Sequence, residues 1–244
     1  MIPHIVLIIQ ARMGSTRLPG KSMMDLAGAP LVGRLLERVK KANKINQIVL
    51  ATSDQKKDDI LQKLACDYKV DYFRGSENDL VDRYYQCAKL FKADIVLRLP
   101  ADNPCPEPSE YDRLIKYHLE SDNDFSSNIC NFMKNGYPDG IGVEAFSFSS
   151  LETIWNNVTN IEKREHVALN YYDYLNDKIP IGSSFKVGTI KCLEKYSRTD
   201  IVLDVNTEED YHFFKKLYDN LYTLNPNFSF TDIIKWYDNN KELN

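Results

Sequence analysis

The sequence predicts an α/β protein built on a Rossmann-like, mostly parallel sheet with helices on its faces. Short β-branched apolar runs alternate with longer segments in which apolar residues recur at helical spacing. Each of the first four apolar runs ends in a loop that carries charged or hydroxyl side chains. Alternating strands and helices form βαβ units, and their parallel strands bring such loops to one edge of the sheet, where ligands bind.

The first half of the chain shows this alternation most clearly. The opening apolar run is almost free of polar residues, as expected of a strand buried on both faces. Pro30 fits the first turn of a helix, and Leu31, Leu35 and Val39 then share one helical face. We therefore predict strands at 4–9, 47–52, 70–73 and 94–99, and helices at 31–39, 56–68 and 80–91.

The second half is less regular. A stretch rich in glycine, proline and asparagine, residues 135–140, interrupts the pattern and predicts a loop. Around it we predict helices at 108–121, 149–157, 162–176, 207–221 and 231–239, and strands at 143–148, 185–192 and 200–205.

Size, charge and cysteine content restrict the classes of function. At 244 residues the chain can bury one substantial core, so we predict a single domain, 1–244. The net charge of −4 differs from the basic balance of nucleic-acid binders, and no nucleic-acid partner is expected. Five widely spaced cysteines contain no CxxC pair, which argues against structural zinc and a disulfide framework. Without a leader pattern or an apolar run of about 18 residues, we expect a cytoplasmic protein with no membrane partner.

The most concentrated functional signal is the loop after the first strand, residues 10–21. It holds two glycines, a proline, two hydroxyl residues and three cations, namely Arg12, Arg17 and Lys21. Backbone amides freed by glycine, with guanidinium and ammonium groups nearby, suit a polyphosphate. The alternative is a basic loop that merely joins a strand to a helix. The spacing is not that of a Walker loop, in which Gly-Lys-Ser/Thr follows four free positions.

The loop resembles the signature of cytidylyltransferases that make CMP-activated acidic sugars. Ala11-Arg12 followed by Ser-Thr-Arg-Leu-Pro-Gly-Lys at residues 15–21 is similar to the SpsF-like spore-coat polysaccharide branch, which is related to the CMP-KDO and CMP-acylneuraminate synthetases. With later motifs, the resemblance runs from residue 5 to about residue 212. It implies a nucleotide-diphospho-sugar transferase (GT-A-like) fold and transfer of CMP from CTP, with Mg²⁺ and release of pyrophosphate. It also implies a homodimer, with residues 1–105 binding CTP and residues 106–244 binding the acceptor and forming the dimer.

The resemblance further implies which residues hold the nucleotide. Arg12 and Lys21 would bind the triphosphate, with backbone donors from Gly14 and Ser15, and residues 74–76 would contact the cytosine. The implied nucleotide-binding set is Gln10, Ala11, Arg12, Gly14, Ser15, Lys21, Ser53, Arg74, Ser76 and Asp102, and the catalytic set is Arg12, Lys21, Asp102 and His166. For Arg17 the alternative is a structural ion pair.

Two acidic positions are candidates for Mg²⁺, which binds one or two carboxylates together with phosphates and water. Asp102 resembles the strand-end metal aspartate of the family, although an Asp before Asn-Pro also suits a turn. The second family aspartate, in a Val-Asp-x-Pro-Glu-Asp pattern, is replaced here by Asn206. Along a strand, Asp204 and Asn206 share one face, so we predict Asp204 as the second ligand. Asn206 is then an indirect contact, a neutral ligand, or the N-cap of the next helix with an acid three residues on.

Two later patches resemble motifs of the same branch: residues 137–144, and Arg-Glu-His within residues 163–167. The implied acceptor pocket is lined by Asp139, Glu144, Arg164, Glu165 and His166. Arg164 would meet a carboxylate or phosphate of a small anionic acceptor. His166 would help to remove a proton from an acceptor hydroxyl, or else is a structural histidine of a helix.

Two other functions are compatible with these residues. A glycosyltransferase that consumes a sugar nucleotide can share the sheet topology, but Asp102-Asn103-Pro104 is a poor version of its Asp-x-Asp motif. A catalytically silent nucleotide-binding protein is the other alternative, because Asn206 replaces an expected aspartate. Among acceptors, the residues do not choose between an acidic sugar and a small phosphate or phosphonate for surface polysaccharides.

Overall fold

A computed structural model describes residues 2–130, 132–174 and 176–240. The strands are β1 (Ile5–Gln10), β2 (Asp25–Leu26), β3 (Ala29–Pro30), β4 (Gln47–Ser53), β5 (Asp71–Gly75), β6 (Ile95–Pro100), β7 (Phe125–Ser127), β8 (Glu144–Ser147) and β9 (Val187–Gly188). The helices are α1 (Leu31–Val39), α2 (Asp59–Asp67), α3 (Leu80–Leu90), α4 (Pro108–Glu120), α5 (Phe148–Asn157), α6 (Ile161–Glu165), α7 (Glu208–Leu224) and α8 (Phe230–Asn239). Within these ranges, no helix has the length and apolar character needed to cross a membrane.

Seven strands form one sheet in the order β5-β4-β1-β6-β8-β7-β9, and β2 pairs with β3 in a separate ribbon. β1 lies parallel between β4 and β6, with Ile9 opposite Leu50 and Leu99. β5 extends the parallel run beyond β4, whereas β8 is antiparallel to both β6 and β7. The predicted α/β class and mostly parallel sheet are confirmed.

Burial on both faces of the sheet fixes the position of β1. Leu7 and Ile9 belong to one core cluster with residues of α1, α4 and α7. Val6 and Ile8 point the other way, into a second cluster with residues of α3 and α5. Successive side chains of a strand alternate between faces, so an uninterrupted apolar run fills both cores. The loop that leaves β1 at Gln10 therefore starts from a rigid position.

The predicted helix 162–176 ends early. α6 stops at Glu165, and a 3-10 turn covers Val167–Asn170. The turn directs Tyr171 inward, where its ring stacks on that of Phe125 with 4.7 Å between centroids. Packing of large aromatic side chains against the sheet outweighs the local helical spacing here.

The predicted strands 185–192 and 200–205 are also wrong in extent. In the first, Val187–Gly188 pairs in the sheet as β9, and residues 200–205 form no strand. Val205 instead donates its N–H to the Asp102 carbonyl oxygen at 3.0 Å, and Ile201 accepts from the N–H of Asp139 at 3.2 Å. The segment 200–205 is held by loops rather than by a strand, which brings Asp204 next to Asp102.

α7 begins one residue later than it would if Asn206 were its N-cap. Thr207 is the N-cap, and its side chain accepts from the Asp210 N–H in a capping box. Asn206 donates its backbone N–H to Asp210 Oδ2 at 2.8 Å. Its side chain is therefore not used for capping.

Gly140 follows Asp139 where this loop approaches the 200–205 segment. Its φ is +82°, and a Cβ there would lie 2.7 Å from the Leu203 carbonyl oxygen, whereas Gly28 has a φ of +85° with open space around it. We expect Gly28→Ala to lower the free energy of unfolding by about 1 kcal/mol, through left-handed strain alone. Gly140→Ala should lower it by about 3 kcal/mol, because the backbone must also move. Urea denaturation measures both losses, and equal losses would contradict the close approach.

Candidate active site

The carboxyl ends of the parallel strands lie along one edge of the sheet. Gln10, the last residue of β1, is opposite Pro100 of β6. Ala11 donates its N–H to the Ala51 carbonyl oxygen, and Ala101 donates its N–H to that of Gln10, both at 3.1 Å. Because β4 and β6 flank β1 on opposite sides, a crevice opens between the loops that follow β1 and β6.

Three cavities that share lining residues occupy this crevice, and Gln10 borders all three. The loop cavity is lined by Gln10, Ala11, Arg12, Ser15, Thr16, Arg17, Lys21, Ser22, Pro100, Ala101 and Asp102. The α3 cavity is lined by Gln10, Ala11, Arg12, Glu77, Asn78, Leu80, Arg83, Glu165 and His166. The acid cavity is lined by Gln10, Arg17, Arg98, Pro100, Asp102, Asn103, Ile129, Asp139, Gly142, Glu144, His166, Asp204 and Asn206.

Lys21 links the 10–21 loop to the acidic side of the crevice. Its Nζ donates to Asp102 Oδ2 at 2.9 Å and to the Val205 carbonyl oxygen at 2.7 Å. Arg12 is exposed and borders both the loop cavity and the α3 cavity. A lysine and an arginine thus border the loop cavity together, an arrangement that suits a polyphosphate.

Other residues of the loop have local partners. Ser15 Oγ accepts from a backbone N–H three residues on at 3.3 Å and closes a turn. Arg17 donates from Nη2 to the side-chain oxygen of Asn206 at 2.8 Å, so its partner is a neutral amide and not a carboxylate. Gly14 lies beside the Lys57 ammonium, which would be 3.0 Å from a Cβ at that position. Gly14 is not part of the loop-cavity lining.

Asp102 and Asp204 form a pair of carboxylates bridged by Asn103. With its amide nitrogen facing them, Asn103 donates to Asp102 Oδ1 at 3.0 Å and to Asp204 Oδ1 at 2.8 Å. Burial, and then the nearby charges of Asp139 and Asp102, raise the pKa of Asp204 to about 8. Burial also raises the pKa of Asp139. Crowded, buried acids of this kind are stabilised in their charged form by a cation.

This donor set fits a divalent cation that keeps phosphate and water ligands. In the described part of the chain, no three His, Cys, Asp or Glu side chains converge to form a complete protein cage. Mg²⁺ in nucleotide sites binds through one or two carboxylates plus phosphate oxygens, and Asp102 and Asp204 are two carboxylates close enough to share the Asn103 amide. The amide oxygen of Asn206 is already used by Arg17.

A buried ion pair borders the acid cavity. Arg98 of β6 is opposite Glu144 of β8, and its Nη1 donates to Glu144 Oε2 at 2.5 Å. Arg98 Nε donates to Gln10 Oε1 at 3.2 Å, and the Tyr174 hydroxyl donates to Glu144 Oε1 at 2.6 Å. Both oxygens of Glu144 therefore have partners within the protein.

The chain is similar in sequence to known enzymes of nucleotide transfer. A sequence model of cytidylyltransferases matches residues 6–225. The chain belongs to the cytidylyltransferase family. It is 30% identical over 224 residues to the spore coat polysaccharide biosynthesis protein SpsF of Bacillus subtilis, which covers 88% of this chain and 86% of that protein. The SpsF-like resemblance is confirmed.

Solved structures share the fold of this cytidylyltransferase. A cytidylyltransferase from Leptospira borgpetersenii superposes with a TM-score of 0.86 and 29% identity, covering 99% of this chain and 96% of that chain. A CMP:2-keto-3-deoxy-manno-octonic acid synthetase, solved in complex with CTP, superposes with a TM-score of 0.65 and 16% identity, covering 88% of this chain and 98% of that chain. The nucleotidyltransferase fold is confirmed, and the chain is a CTP-dependent nucleotidyltransferase.

Four predicted nucleotide-binding residues of the cytidylyltransferase lie outside the three cavities: Gly14, whose surroundings are given above, and Ser53, Arg74 and Ser76. Ser53 is fully buried, and its hydroxyl donates to Asp58. Arg74 donates from Nε to the Ser53 carbonyl oxygen at 3.1 Å and from Nη1 to Asp59 at 2.5 Å. Ser76 Oγ accepts from a backbone N–H at 3.0 Å, three residues on. These side chains stabilise the loops after β4 and β5, and the crevice does not include them.

Four of the five predicted acceptor residues border the acid cavity or the α3 cavity, and Arg164 borders neither. Asp139 and Glu144 border the acid cavity, and Glu165 borders the α3 cavity. His166 is exposed where α6 ends and borders both cavities. Arg164 borders neither, because its Nε donates to Asp79 Oδ2 at 2.6 Å and its Nη1 donates to two backbone carbonyls.

The predicted site residues do not include Glu77, Asn78, Arg83 and Arg98, which border the crevice. Arg83 is almost fully buried and donates from Nε to the Ser76 carbonyl oxygen at 2.8 Å. A signal existed for both arginines, because Arg83 interrupts an apolar helix face and Arg98 an apolar strand. A charge in such a position requires a partner or a ligand.

The raised pKa of Asp204 predicts how the stability of the cation-free cytidylyltransferase depends on pH. An unfolded aspartate ionises near pH 4, and folded Asp204 ionises near pH 8. From about pH 4 to about pH 8 the unfolded state is the more ionised one, so the free energy of unfolding should fall, and it should level off above that range. Urea denaturation in EDTA measures the fall, with Asp204→Asn as the control that removes it. Parallel pH profiles for the two proteins would contradict this prediction.

Proposed function

We propose that this cytidylyltransferase transfers CMP from CTP to an acidic sugar or a small phosphate- or phosphonate-bearing acceptor, with release of pyrophosphate, for surface polysaccharide biosynthesis. The observation that carries the proposal is the contact of the 10–21 loop with a pair of carboxylates, through Lys21 and Asp102. Charge develops on phosphate oxygens as pyrophosphate leaves, so the reaction needs fixed cations and a metal-binding carboxylate more than a strong base.

The nucleotide occupies two of the cavities in this proposal. Its triphosphate lies in the loop cavity, where Arg12 and Lys21 supply positive charge and the backbone near Ser15 supplies donors. Its cytosine lies in the α3 cavity, which shares Arg12 with the loop cavity. Glu77 and Asn78 border the α3 cavity, so we assign the base contacts to them instead of residues 74–76.

Asp102 and Asp204 are the residues that would hold Mg²⁺. Mg²⁺, when bound, neutralises phosphate oxygens and so stabilises the charge of the transition state. Lys21 donates to Asp102 from the side of the loop cavity, which places its charge next to the same phosphates. Arg17, held by Asn206, borders the loop and acid cavities and adds a second charge where they meet.

The acceptor occupies the acid cavity. One of its oxygens forms a bond to the α-phosphorus of CTP, the bond from that phosphorus to the bridging oxygen breaks, and pyrophosphate leaves with the electron pair. If the acceptor oxygen is a hydroxyl, its proton goes to a ring nitrogen of His166, which borders this cavity. Asp139 borders the same cavity, and Glu165 lies on the nucleotide side of His166.

The test is pyrophosphate release with CTP, UTP, ATP and GTP, each combined with acidic sugars, polyol phosphates and phosphonates. We expect release with CTP and an acidic or phosphorylated acceptor, without any sugar nucleotide. Activity with UTP alone would contradict the cytidylyl assignment. Consumption of a sugar nucleotide in place of CTP would favour a glycosyltransferase, and CTP binding without turnover across the panel would favour a silent nucleotide-binding protein.

We also propose that the enzyme works as a cytoplasmic homodimer. Apolar side chains exposed in the second half of the chain support the dimer: Ile161 is 76% exposed and Ile181 is 98% exposed. Five widely spaced cysteines without a CxxC pair support a reducing compartment. Light scattering of the purified protein tests the dimer, and the mass of a single chain would contradict it.

A further inference from the structure

Arg98 is a buried charge that the proposed reaction does not yet use. Its side chain is 14% exposed and that of its partner Glu144 is 2% exposed. A buried ion pair contributes little net stability, because desolvation of both charges offsets their attraction. The pair also lies in the middle of the sheet, where apolar residues would pack equally well. The position therefore needs an explanation other than stability.

Neighbouring side chains hold the Arg98 guanidinium in one orientation. Gln10 accepts from Nε and Glu144 accepts from Nη1, while Tyr174 fixes Glu144 from its other oxygen. Among residues 2–130, 132–174 and 176–240, no partner accepts a hydrogen bond from Nη2. Arg98 borders the acid cavity. Its third nitrogen is thus a fixed donor available to a molecule bound there.

The charges around the acid cavity indicate what that molecule would present to Arg98. Asp102, Asp139 and Asp204 line the same cavity as Arg98, and a wall of carboxyl groups is an unfavourable place for an anion. Arg17 is bonded to Asn206 on the same segment as Asp204. Arg98 donates its hydrogen bonds to Gln10 and Glu144 and to none of these three aspartates. An anionic acceptor is therefore favoured with its charged group toward Arg98 and its reacting oxygen toward Asp102 and Asp204.

We propose that Arg98 binds the anionic group of the acceptor through Nη2, and that Gln10, Glu144 and Tyr174 are positioning residues that hold it. The inference rests on the proposed function and specifies its acceptor as a carboxylate- or phosphate-bearing molecule. It replaces Arg164, whose guanidinium is committed to Asp79 and backbone carbonyls. It also changes the part of Glu144 from a direct acceptor contact to a support for Arg98.

The experiment compares wild type with Arg98→Gln/Glu144→Gln and with Glu144→Gln alone. The double variant is needed because loss of Arg98 alone leaves Glu144 buried and unpaired. Pyrophosphate release is measured with CTP and two matched acceptor pairs: N-acetylneuraminate with its methyl ester, and glycerol 3-phosphate with glycerol. We expect wild type to prefer the anionic member of one pair, which tells a carboxylate site from a phosphate site.

In the double variant, the preference in kcat/KM should fall on the order of 10- to 100-fold, the size of one charge-assisted hydrogen bond. Its KM for CTP should stay within about twofold of wild type, because only acceptor binding is changed. Glu144→Gln alone should lower the preference less than the double variant does, because a glutamine oxygen can still accept from Arg98 Nη1. An equal loss in Glu144→Gln and in the double variant, with melting temperatures like that of wild type, would mean that removal of Arg98 adds nothing and would overturn its assignment.

Calorimetric titration of N-acetylneuraminate and glycerol 3-phosphate separates this inference from the proposed function. If wild type and the double variant turn over an anionic acceptor with the same preference over its uncharged partner, the role of Arg98 is overturned and the proposed reaction is supported. Binding of one anion that is lost in the double variant, without turnover by wild type, overturns the reaction and supports the anion site. If wild type neither binds nor turns over either anion, both the proposed reaction and the anion site are overturned.

Discussion

Replacing Asp102 with asparagine is expected to lower the turnover number for pyrophosphate release on the order of 10³-fold, because a metal-binding carboxylate is worth several kcal/mol of transition-state stabilisation. Asparagine keeps the size of the side chain and removes its charge. Asp102 Oδ2 accepts from Lys21, and Oδ1 lies beside the Asn103 amide that also reaches Asp204. The substitution therefore changes the proposed metal site and the contact that holds Lys21 at the same time.

Mg²⁺ titration separates these two consequences of Asp102→Asn. If Asp102 is a metal ligand, the half-saturating Mg²⁺ concentration should rise in Asp102→Asn but not in Lys21→Met. Asp122→Asn is the matched control, because its side chain is 92% exposed and pairs with the surface residue Lys186. We expect it to retain wild-type turnover. A normal Mg²⁺ requirement in Asp102→Asn would contradict the metal assignment even if turnover fell.

The approach of the 10–21 loop to Asp102 could be predicted from sequence because the information that places each of them is local. The 10–21 loop directly follows a strand that is recognisable from its apolar run, and Asp102 directly follows another. Parallel strands bring such loops to the same edge whatever the details of the helices. The contact between Lys21 and Asp102 is the structural outcome of that rule.

The remaining contacts of the crevice join distant parts of the chain. Arg17 meets Asn206 across 189 positions, and Arg98 meets Glu144 through the register of an antiparallel strand pair. Neither pairing leaves a local pattern, although a charge inside an apolar strand signals that one must exist. Tertiary packing also ends the predicted helix at Glu165, because Tyr171 turns into the core.

The residue type and position of a side chain at a strand end do not tell whether its partner is a ligand or the protein itself. Arg74 and Arg164 have the residue type and position of phosphate or carboxylate ligands, yet both donate to backbone carbonyl oxygens and to an aspartate. Ser53 is likewise used by Asp58 within its own loop. Loops need internal donors to satisfy their carbonyl groups, and sequence does not tell these donors from those that face a ligand.

Lys21→Met is expected to lower the turnover number at saturating CTP on the order of 10²-fold, the usual loss when one fixed charge at a transition state is removed. Lys21 donates to Asp102 and to the Val205 carbonyl oxygen, so its ammonium is held beside the loop cavity, where we place the phosphates. Because charge moves onto the leaving pyrophosphate, the loss should appear mainly in the turnover number and less in the KM for CTP.

Lys116→Met is the matched control for Lys21→Met, because the Lys116 side chain is 65% exposed and its Nζ lies 3.8 Å from Glu120 on the same helix. We expect wild-type turnover from Lys116→Met. Near-wild-type turnover from Lys21→Met at saturating CTP would contradict the phosphate-binding role of the loop.

The double variant Lys21→Met/Asp102→Asn adds a sharper test. If the two residues act on one set of phosphates, its loss should be much smaller than the product of the single losses, because residues that act as a unit are not additive. Independent, multiplicative losses would show that Lys21 and Asp102 act separately and would contradict a shared set of phosphates.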